Sequence, residues 1–135
     1  MKTVAIIPAR LHSTRFPKKI LYLIDEKPMV VHVYENAKKS EIIDDVFVAV
    51  DDDETIKELK KWKVKTIMTG VDHVSGTDRI YEASKTINAD IIVNVQADEP
   101  FIDHNLIDLI VKELSLIHIS EPTRPLYISY AVFCL

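Results

Sequence analysis

Residues 6–19 read Ile-Ile-Pro-Ala-Arg-Leu-His-Ser-Thr-Arg-Phe-Pro-Lys-Lys, and they decide how the rest of the chain is interpreted. An apolar run ends at Pro8, and the residues that follow bring three basic side chains and two hydroxyls: Arg10, Arg15, Lys19, Ser13 and Thr14. In an open α/β sheet, ligands bind in the crevice outside the carboxyl ends of the strands. Basic side chains and backbone N–H groups that converge there suit phosphate oxygens. We therefore interpret this stretch as a buried strand followed by a loop that grips a nucleotide triphosphate.

The flanking sequence alternates short apolar runs with segments of helical periodicity. Strands are predicted at residues 3–7, 45–50, 65–68 and 91–95, with a short extended piece at residues 21–24. Helices are predicted from Pro28 to Lys39 and at residues 54–62, 77–87 and from 104 onward. Continuous apolar strands separated by helices are typical of a parallel sheet covered on both faces. The predicted fold class is α/β with a mostly parallel sheet.

Composition excludes several classes of protein. The chain has 135 residues, 47% of them hydrophobic, and a net charge of −4, which argues against a general nucleic-acid binder. Its single cysteine, Cys134, allows no internal disulfide, and a cytoplasmic setting is expected. No secretory signal is predicted, because Met1-Lys2 leads directly into a short strand-like segment. No stretch approaches the roughly 20 apolar residues of a membrane span.

Residues 114–135 are predicted not to be native sequence. They resemble translated sequencing-library adaptor: a transposase end sequence encodes residues 114–119 and continues through residues 120–125, and a flow-cell sequence encodes residues 128–135 in the same frame. Such segments are excluded from fold reasoning. The native part is then expected to be residues 1–113, cut before its natural end. The alternative is a genuine terminal strand over residues 126–135.

The basic loop lacks the usual phosphate-binding glycines. No glycine precedes Gly70, so neither the G-x-G-x-x-G pattern nor the P-loop pattern is present. Phosphate binding would have to rest on side chains and on amides of other residues. The alternative is an ordinary solvated loop, but its position directly after a strand favours the anion site.

Two further segments carry polar side chains next to predicted strands. Asp98 and Glu99 follow the fourth predicted strand, where a carboxylate can hold Mg²⁺ against phosphate oxygens. We favour metal binding for Asp98 and a turn or helix cap for Glu99. Residues 73–79 bring hydroxyls and Arg79 to a helix start, which fits either a nucleotide contact or a capped helix. The carboxylates at residues 51–53 are expected to form a helix cap and a solvated turn.

These motifs resemble a known enzyme family. Residues 7–19 read Ile-Pro-Ala-Arg-x-x-Ser-Thr-Arg-x-Pro-x-Lys, residues 27–33 Lys-Pro-Met-Val-Val-His-Val, residues 68–79 Met-Thr-x-x-x-His-x-Ser-Gly-Thr-Asp-Arg, and residues 93–100 Val-Asn-Val-Gln-x-Asp-Glu-Pro. Together they are similar to the 3-deoxy-manno-octulosonate (Kdo) cytidylyltransferases over essentially all of residues 1–113. The first motif alone indicates only the wider group of sugar nucleotidyltransferases.

The resemblance implies a Rossmann-like nucleotidyltransferase fold, a cytoplasmic homodimer, and a role in lipopolysaccharide biosynthesis. The implied reaction is CTP + Kdo → CMP-Kdo + pyrophosphate, with Mg²⁺ as cofactor and neither nucleic acid nor membrane as partner. By resemblance, Arg10 and Lys19 are the catalytic residues that hold the triphosphate, and Asp98 is the metal ligand. The other substrate-binding residues implied in the same way are Ala9, Ser13, Arg15, Ser75, Arg79 and Gln96.

The chain departs from the family pattern in three places. Ala97 stands where the family usually has glycine, and residues 25–27 replace a usual Gly-Lys turn. Family chains are about twice as long, and their second half carries the second metal-binding aspartate, much of the Kdo pocket and the dimer contacts. This chain is therefore expected to be inactive on its own. Two alternatives stay open: transfer to another sugar acid such as sialic acid, and a non-catalytic nucleotide-binding module.

Overall fold

The computed structural model describes residues 2–9, 21–70, 76–96, 104–118 and 126–129. The strands are β1 (Thr3–Pro8), β2 (Leu23–Ile24), β3 (Lys27–Pro28), β4 (Asp45–Val50), β5 (Thr66–Met68), β6 (Ile91–Asn94) and β7 (Leu126–Ser129). The helices are α1 (Met29–Lys38), α2 (Asp53–Lys60), α3 (Gly76–Ser84) and α4 (His104–His118). Each predicted strand and helix is therefore present, with its ends shifted by a few residues.

Five strands form one parallel sheet in the order β5-β4-β1-β6-β7. The first strand lies in the middle, because β4 pairs with one of its edges and β6 with the other. From β1 the chain adds β4 and then β5 on one side of the sheet. It then crosses to the other side of β1, where β6 and β7 lie. This arrangement confirms the predicted α/β class with a mostly parallel sheet.

Helices cover both faces of the sheet. Alternate residues of β1 belong to different cores: Ala5 and Ile7 pack with α1, α2 and α4, whereas Val4 and Ile6 pack with α3. All four of these side chains are fully buried. A strand buried on both sides reads as an unbroken apolar run, which is why this segment shows no polar alternation.

A short hairpin, β2–β3, precedes α1 and was predicted only as an extended piece. Its two-residue turn places Asp25 and Glu26 at φ of 53° and 65°. This turn type needs positive φ at both central residues and favours Asn-Gly or Asp-Gly. The hairpin was missed because only the Asp of that signal is present.

Helix α2 begins with a side-chain cap. The Asp52 carboxylate accepts hydrogen bonds from the Thr55 backbone N–H at 3.0 Å and from the Thr55 hydroxyl at 2.6 Å. The predicted cap among residues 51–53 is thus confirmed for Asp52.

Replacing Asp52 by alanine is expected to lower the free energy of unfolding by about 1 kcal/mol, because the first turn of α2 loses its cap. Urea denaturation followed by circular dichroism measures the change. The control is Asp53→Ala, since this neighbouring carboxylate lies in the first turn but is not the cap. Equal losses for the two variants would show that charge near the helix start matters rather than the capping bonds.

The C-terminal elements bear on residues 114–135. Helix α4 continues to His118, past Glu113, and β7 pairs in parallel with β6 at the edge of the sheet. A strand therefore occupies part of the segment that was predicted to be adaptor-encoded.

Candidate functional site

The order of the strands fixes where a ligand would bind. The sheet changes its direction of growth between β1 and β6, and at such a switch point the two following loops separate to leave a crevice. Ala9 follows β1 and Gln96 closely follows β6, so two predicted substrate-binding residues lie at this edge. Ala9 is the residue that immediately precedes the predicted basic loop in the sequence.

Ala9 is fully buried and held by the neighbouring strand. Its backbone N–H donates to the carbonyl oxygen of Ala49, at the end of β4, over 2.8 Å. The place where the chain enters the basic loop is therefore set by the end of β4.

Gln96 lies beside the last residue of β6. Its Nε2 donates to Oδ1 of Asn94 over 3.0 Å, and Asn94 is itself buried. Burial of an amide without a partner is costly, so this bond holds both side chains at the carboxyl end of β6. The structure thus places Gln96 at the carboxyl end of β6, next to the carboxyl end of β1.

Arg79 lies in the first half of α3 and points into the protein. Its side chain is 3% exposed, and Nη1 donates to the Thr69 hydroxyl at 2.6 Å and to the Gly70 carbonyl at 3.0 Å. Nη2 pairs with the Asp51 carboxylate at 3.4 Å. The guanidinium that was predicted to help place the nucleotide is engaged by the ends of β4 and β5.

Sequence reasoning missed Asp51, Thr69 and Glu82 as residues of this edge. Asp51 was assigned to a cap and solvated turn, but the cap is Asp52 and Asp51 pairs with Arg79. A usable signal was present, because Asp51 directly follows a buried strand, as does the segment that carries Asp98.

Six of the predicted site residues lie outside the described ranges: Arg10, Ser13, Arg15, Lys19, Ser75 and Asp98. Their roles stay predictions from the sequence. Within the described ranges, no group of three or more His, Cys, Asp or Glu side chains could hold a metal ion. Magnesium binding by Asp98 likewise stays a prediction from the sequence.

The opposite end of β4 carries a separate ion pair. Lys65 Nζ donates to both oxygens of the Asp45 carboxylate at 3.0 and 3.1 Å. This hydrogen-bonded carboxylate raises the pKa of Lys65 above its ordinary value. Because this pair lies at the amino end of β4, it offers a control for substitutions at the carboxyl end of the same strand.

Comparison with known proteins identifies the family. The cytidylyltransferase family profile matches residues 4–117, which is most of the chain. The chain belongs to the cytidylyltransferase family. The match stops well before β7, so that strand lies outside the part of the chain that defines the family.

Curated members of the cytidylyltransferase family are similar over the same region. The chain is 48% identical over 108 residues to a 3-deoxy-manno-octulosonate cytidylyltransferase of Chloroherpeton thalassium, which covers 80% of this chain and 44% of the relative. It is 49% identical over 108 residues to the enzyme of the same name from Geobacter metallireducens, covering 80% and 42%. The chain thus spans less than half the length of these relatives.

A solved cytidylyltransferase structure shares the fold. It is described as CMP:2-keto-3-deoxy-manno-octonic acid synthetase complexed with CTP, and it superposes with a TM-score of 0.83 at 38% identity. The alignment covers 91% of this chain and 49% of that one. Across the part of the chain that the structure describes, no helix combines the length and apolar character needed to cross a membrane.

Proposed function

We propose that this chain is the nucleotide-binding half of an enzyme that transfers a cytidylyl group from CTP to Kdo, giving CMP-Kdo and pyrophosphate for lipopolysaccharide biosynthesis. The observation that carries the proposal is the similarity, over 91% of the chain, to a synthetase of this name that was solved with CTP. The named relatives at 48% and 49% identity support the choice of sugar acid.

The reaction is a substitution at the α-phosphorus of CTP. A hydroxyl oxygen of Kdo forms the new P–O bond, the bond from the α-phosphorus to the bridging oxygen breaks, and pyrophosphate leaves with that electron pair. The hydroxyl proton passes to a basic group or to water. In nucleotidyl transfer, most of the rate enhancement comes from positioning the substrates and from stabilising the negative charge on the leaving pyrophosphate.

We assign the triphosphate contacts to the loop that follows β1. Arg10 and Lys19 hold the triphosphate and stabilise the charge that develops on pyrophosphate, and Arg15 and Ser13 assist them. Ala9 fixes where this loop begins, because its N–H is held by β4.

The remaining roles concern the nucleoside, the sugar and the metal. Ser75 would help to place the nucleotide, and Gln96 would lie near the sugar acid. Asp98 would hold Mg²⁺, which, when bound, neutralises phosphate charge.

The remaining parts of the enzyme are assigned to a second half that the relatives possess. That half would supply a second metal ligand, most of the Kdo pocket and the contacts of a homodimer. We also propose that residues 114–135 are adaptor-encoded and that the full-length enzyme acts in the cytoplasm. A long sequencing read across the codon for Glu113 tests the tail: a frame that continues into a second half supports the proposal, and a gene that ends at Leu135 contradicts it.

Pyrophosphate release tests the activity. The protein encoded by the full locus is expected to release pyrophosphate from CTP with Kdo, and not with sialic acid or without an acceptor. The 135-residue chain is expected to show weak or no release, because it spans less than half the length of the named relatives and, by this proposal, lacks the second metal ligand. Release only with another sugar acid would contradict the assignment of Kdo, and CTP binding without release by the full-length protein would indicate a binding module.

A further inference from the structure

Two consecutive residues at the end of β4 anchor the start of the β5–α3 connection. The Val50 carbonyl accepts from the Thr69 backbone N–H at 2.7 Å and from the Thr69 hydroxyl at 2.9 Å. The Asp51 carboxylate pairs with Arg79 of α3. One strand end therefore fixes both β5 and α3.

Helix α3 holds both backbone groups of Gly70. The carbonyl of Gly70 accepts from Arg79 at 3.0 Å, and its N–H donates to the two oxygens of Glu82 at 3.0 and 3.3 Å. Arg79 and Glu82 are three residues apart on the helix, which places them on the same face. We call Asp51, Thr69, Arg79 and Glu82 the clasp.

The clasp leaves little of Arg79 for a ligand. Its side chain is 3% exposed, its charge is balanced by Asp51, and Nη1 already serves two oxygen acceptors. Movement of this guanidinium toward a nucleotide would break a buried ion pair, and breaking such a pair is costly.

The same strand end also holds Ala9, the residue that precedes the basic loop. The residue before Val50 is Ala49, whose carbonyl accepts from Ala9 just ahead of Arg10. Displacement of the end of β4 would therefore move both Ala9, which precedes the basic loop, and α3.

We propose that the clasp is a positioning unit of the nucleotide site, and that Arg79 acts through Asp51 and Thr69 without binding the nucleotide itself. This inference rests on the proposed function for the identity of the ligand. It adds Asp51, Thr69 and Glu82 as positioning residues and changes the role of Arg79 from ligand contact to support.

Asp51→Asn is the decisive variant, because it keeps Arg79 and removes only the charge that holds it. Calorimetric titration with CTP and Mg²⁺ is expected to give a Kd raised about fivefold to tenfold for Asp51→Asn and for Arg79→Gln, with no further rise in the double variant. If Arg79 binds the nucleotide directly, Arg79→Gln will raise the Kd well beyond the value for Asp51→Asn, and the proposal is overturned.

Two controls separate positioning from general damage. Asp45→Asn makes the same chemical change at the amino end of the same strand and is expected to leave the Kd for CTP unchanged. Thr69→Val removes the hydroxyl at nearly constant volume and is expected to weaken CTP binding. Thr69→Ser keeps the hydroxyl and is expected to bind CTP as the unsubstituted chain does. Equal binding by the valine and serine variants would contradict the clasp, and this pair suffices if Arg79→Gln does not fold.

Failure of the proposed function gives a different pattern. If the unsubstituted chain binds no CTP, that function is contradicted for this chain, and urea denaturation then decides the clasp. Shifts of the unfolding midpoint that are less than additive for Asp51→Asn and Arg79→Gln support a coupled unit. Additive shifts overturn it.

Discussion

Replacing Arg10 and Lys19 together by alanine is expected to weaken CTP binding by about 100-fold or more. Hydrogen bonds to charged groups contribute about 1.5–3 kcal/mol each, and about 1.4 kcal/mol corresponds to a factor of ten in Kd. The loss of two such contacts to the triphosphate therefore corresponds to a Kd raised by about 100-fold or more. Calorimetric titration of the unsubstituted chain and the variant with CTP and Mg²⁺ measures the effect.

The matched control for this variant is Lys39→Ala with Lys60→Ala, which removes the same number of positive charges. Both lysines are exposed, one directly after α1 and the other at the end of α2, where the helices lead back to the amino edge of the sheet. The Kd of the control for CTP is expected to lie within about twofold of that of the unsubstituted chain. Exposed charges at the amino edge of the sheet are screened by salt from a ligand at the carboxyl edge. Equal losses in both double variants would contradict a specific grip and indicate a response to net charge.

Replacing Ile6 by alanine is expected to lower the free energy of unfolding by about 2–5 kcal/mol. Ile6 is fully buried in the central strand, between β4 and β6, and packs with Ile80 of α3. The truncation leaves a cavity that these fixed neighbours fill only in part. Urea denaturation followed by circular dichroism measures the loss.

Ile6→Val serves as the control, since it removes one methylene and is expected to cost about 0.5–1.5 kcal/mol. A loss below about 1 kcal/mol for Ile6→Ala would show that the core around α3 is loosely packed. It would also weaken the inference that α3 is held firmly at the carboxyl edge.

Much of the fold could be predicted because the apolar runs are long and unbroken. Residues 3–7 and 45–50 contain the residues of β1 and β4 almost to their ends, since strands buried on both faces leave a continuous apolar signal. The hairpin β2–β3 could not be predicted, because Asp25 and Glu26 adopt positive φ without the glycine that usually marks such a turn.

The sequence predicted where the candidate site lies, but it predicted the roles of only some of its residues. Ala9 and Gln96 lie at the edge that the basic loop indicated, because parallel strands bring their carboxyl ends together. The environment of Arg79 could not be predicted, since it depends on Asp51 and Thr69, which are 28 and 10 residues away in the chain. Sequence spacing reveals that an arginine begins a helix, but not whether its guanidinium faces a ligand or the protein.

The segment that contains β7 shows how little sequence specificity an edge strand requires. Tyr127 and Ile128 have the apolar character that a strand beside β6 requires, whatever the origin of the codons. Pairing with an open strand edge depends on backbone hydrogen bonds and apolar side chains, which many sequences can supply. A strand at this position therefore fits native and adaptor-encoded sequence equally well.

The most direct test of the central claim is titration of the 135-residue chain with CTP in the presence of Mg²⁺, beside a pyrophosphate assay with Kdo. We expect saturable binding of CTP, weaker binding of UTP and ATP, and no more than weak release of pyrophosphate. Binding that is absent, or equal for all three nucleotides, would contradict a cytidine-nucleotide site in this half. Turnover of Kdo at the rate of the full-length enzyme would contradict the claim that the second half completes the site.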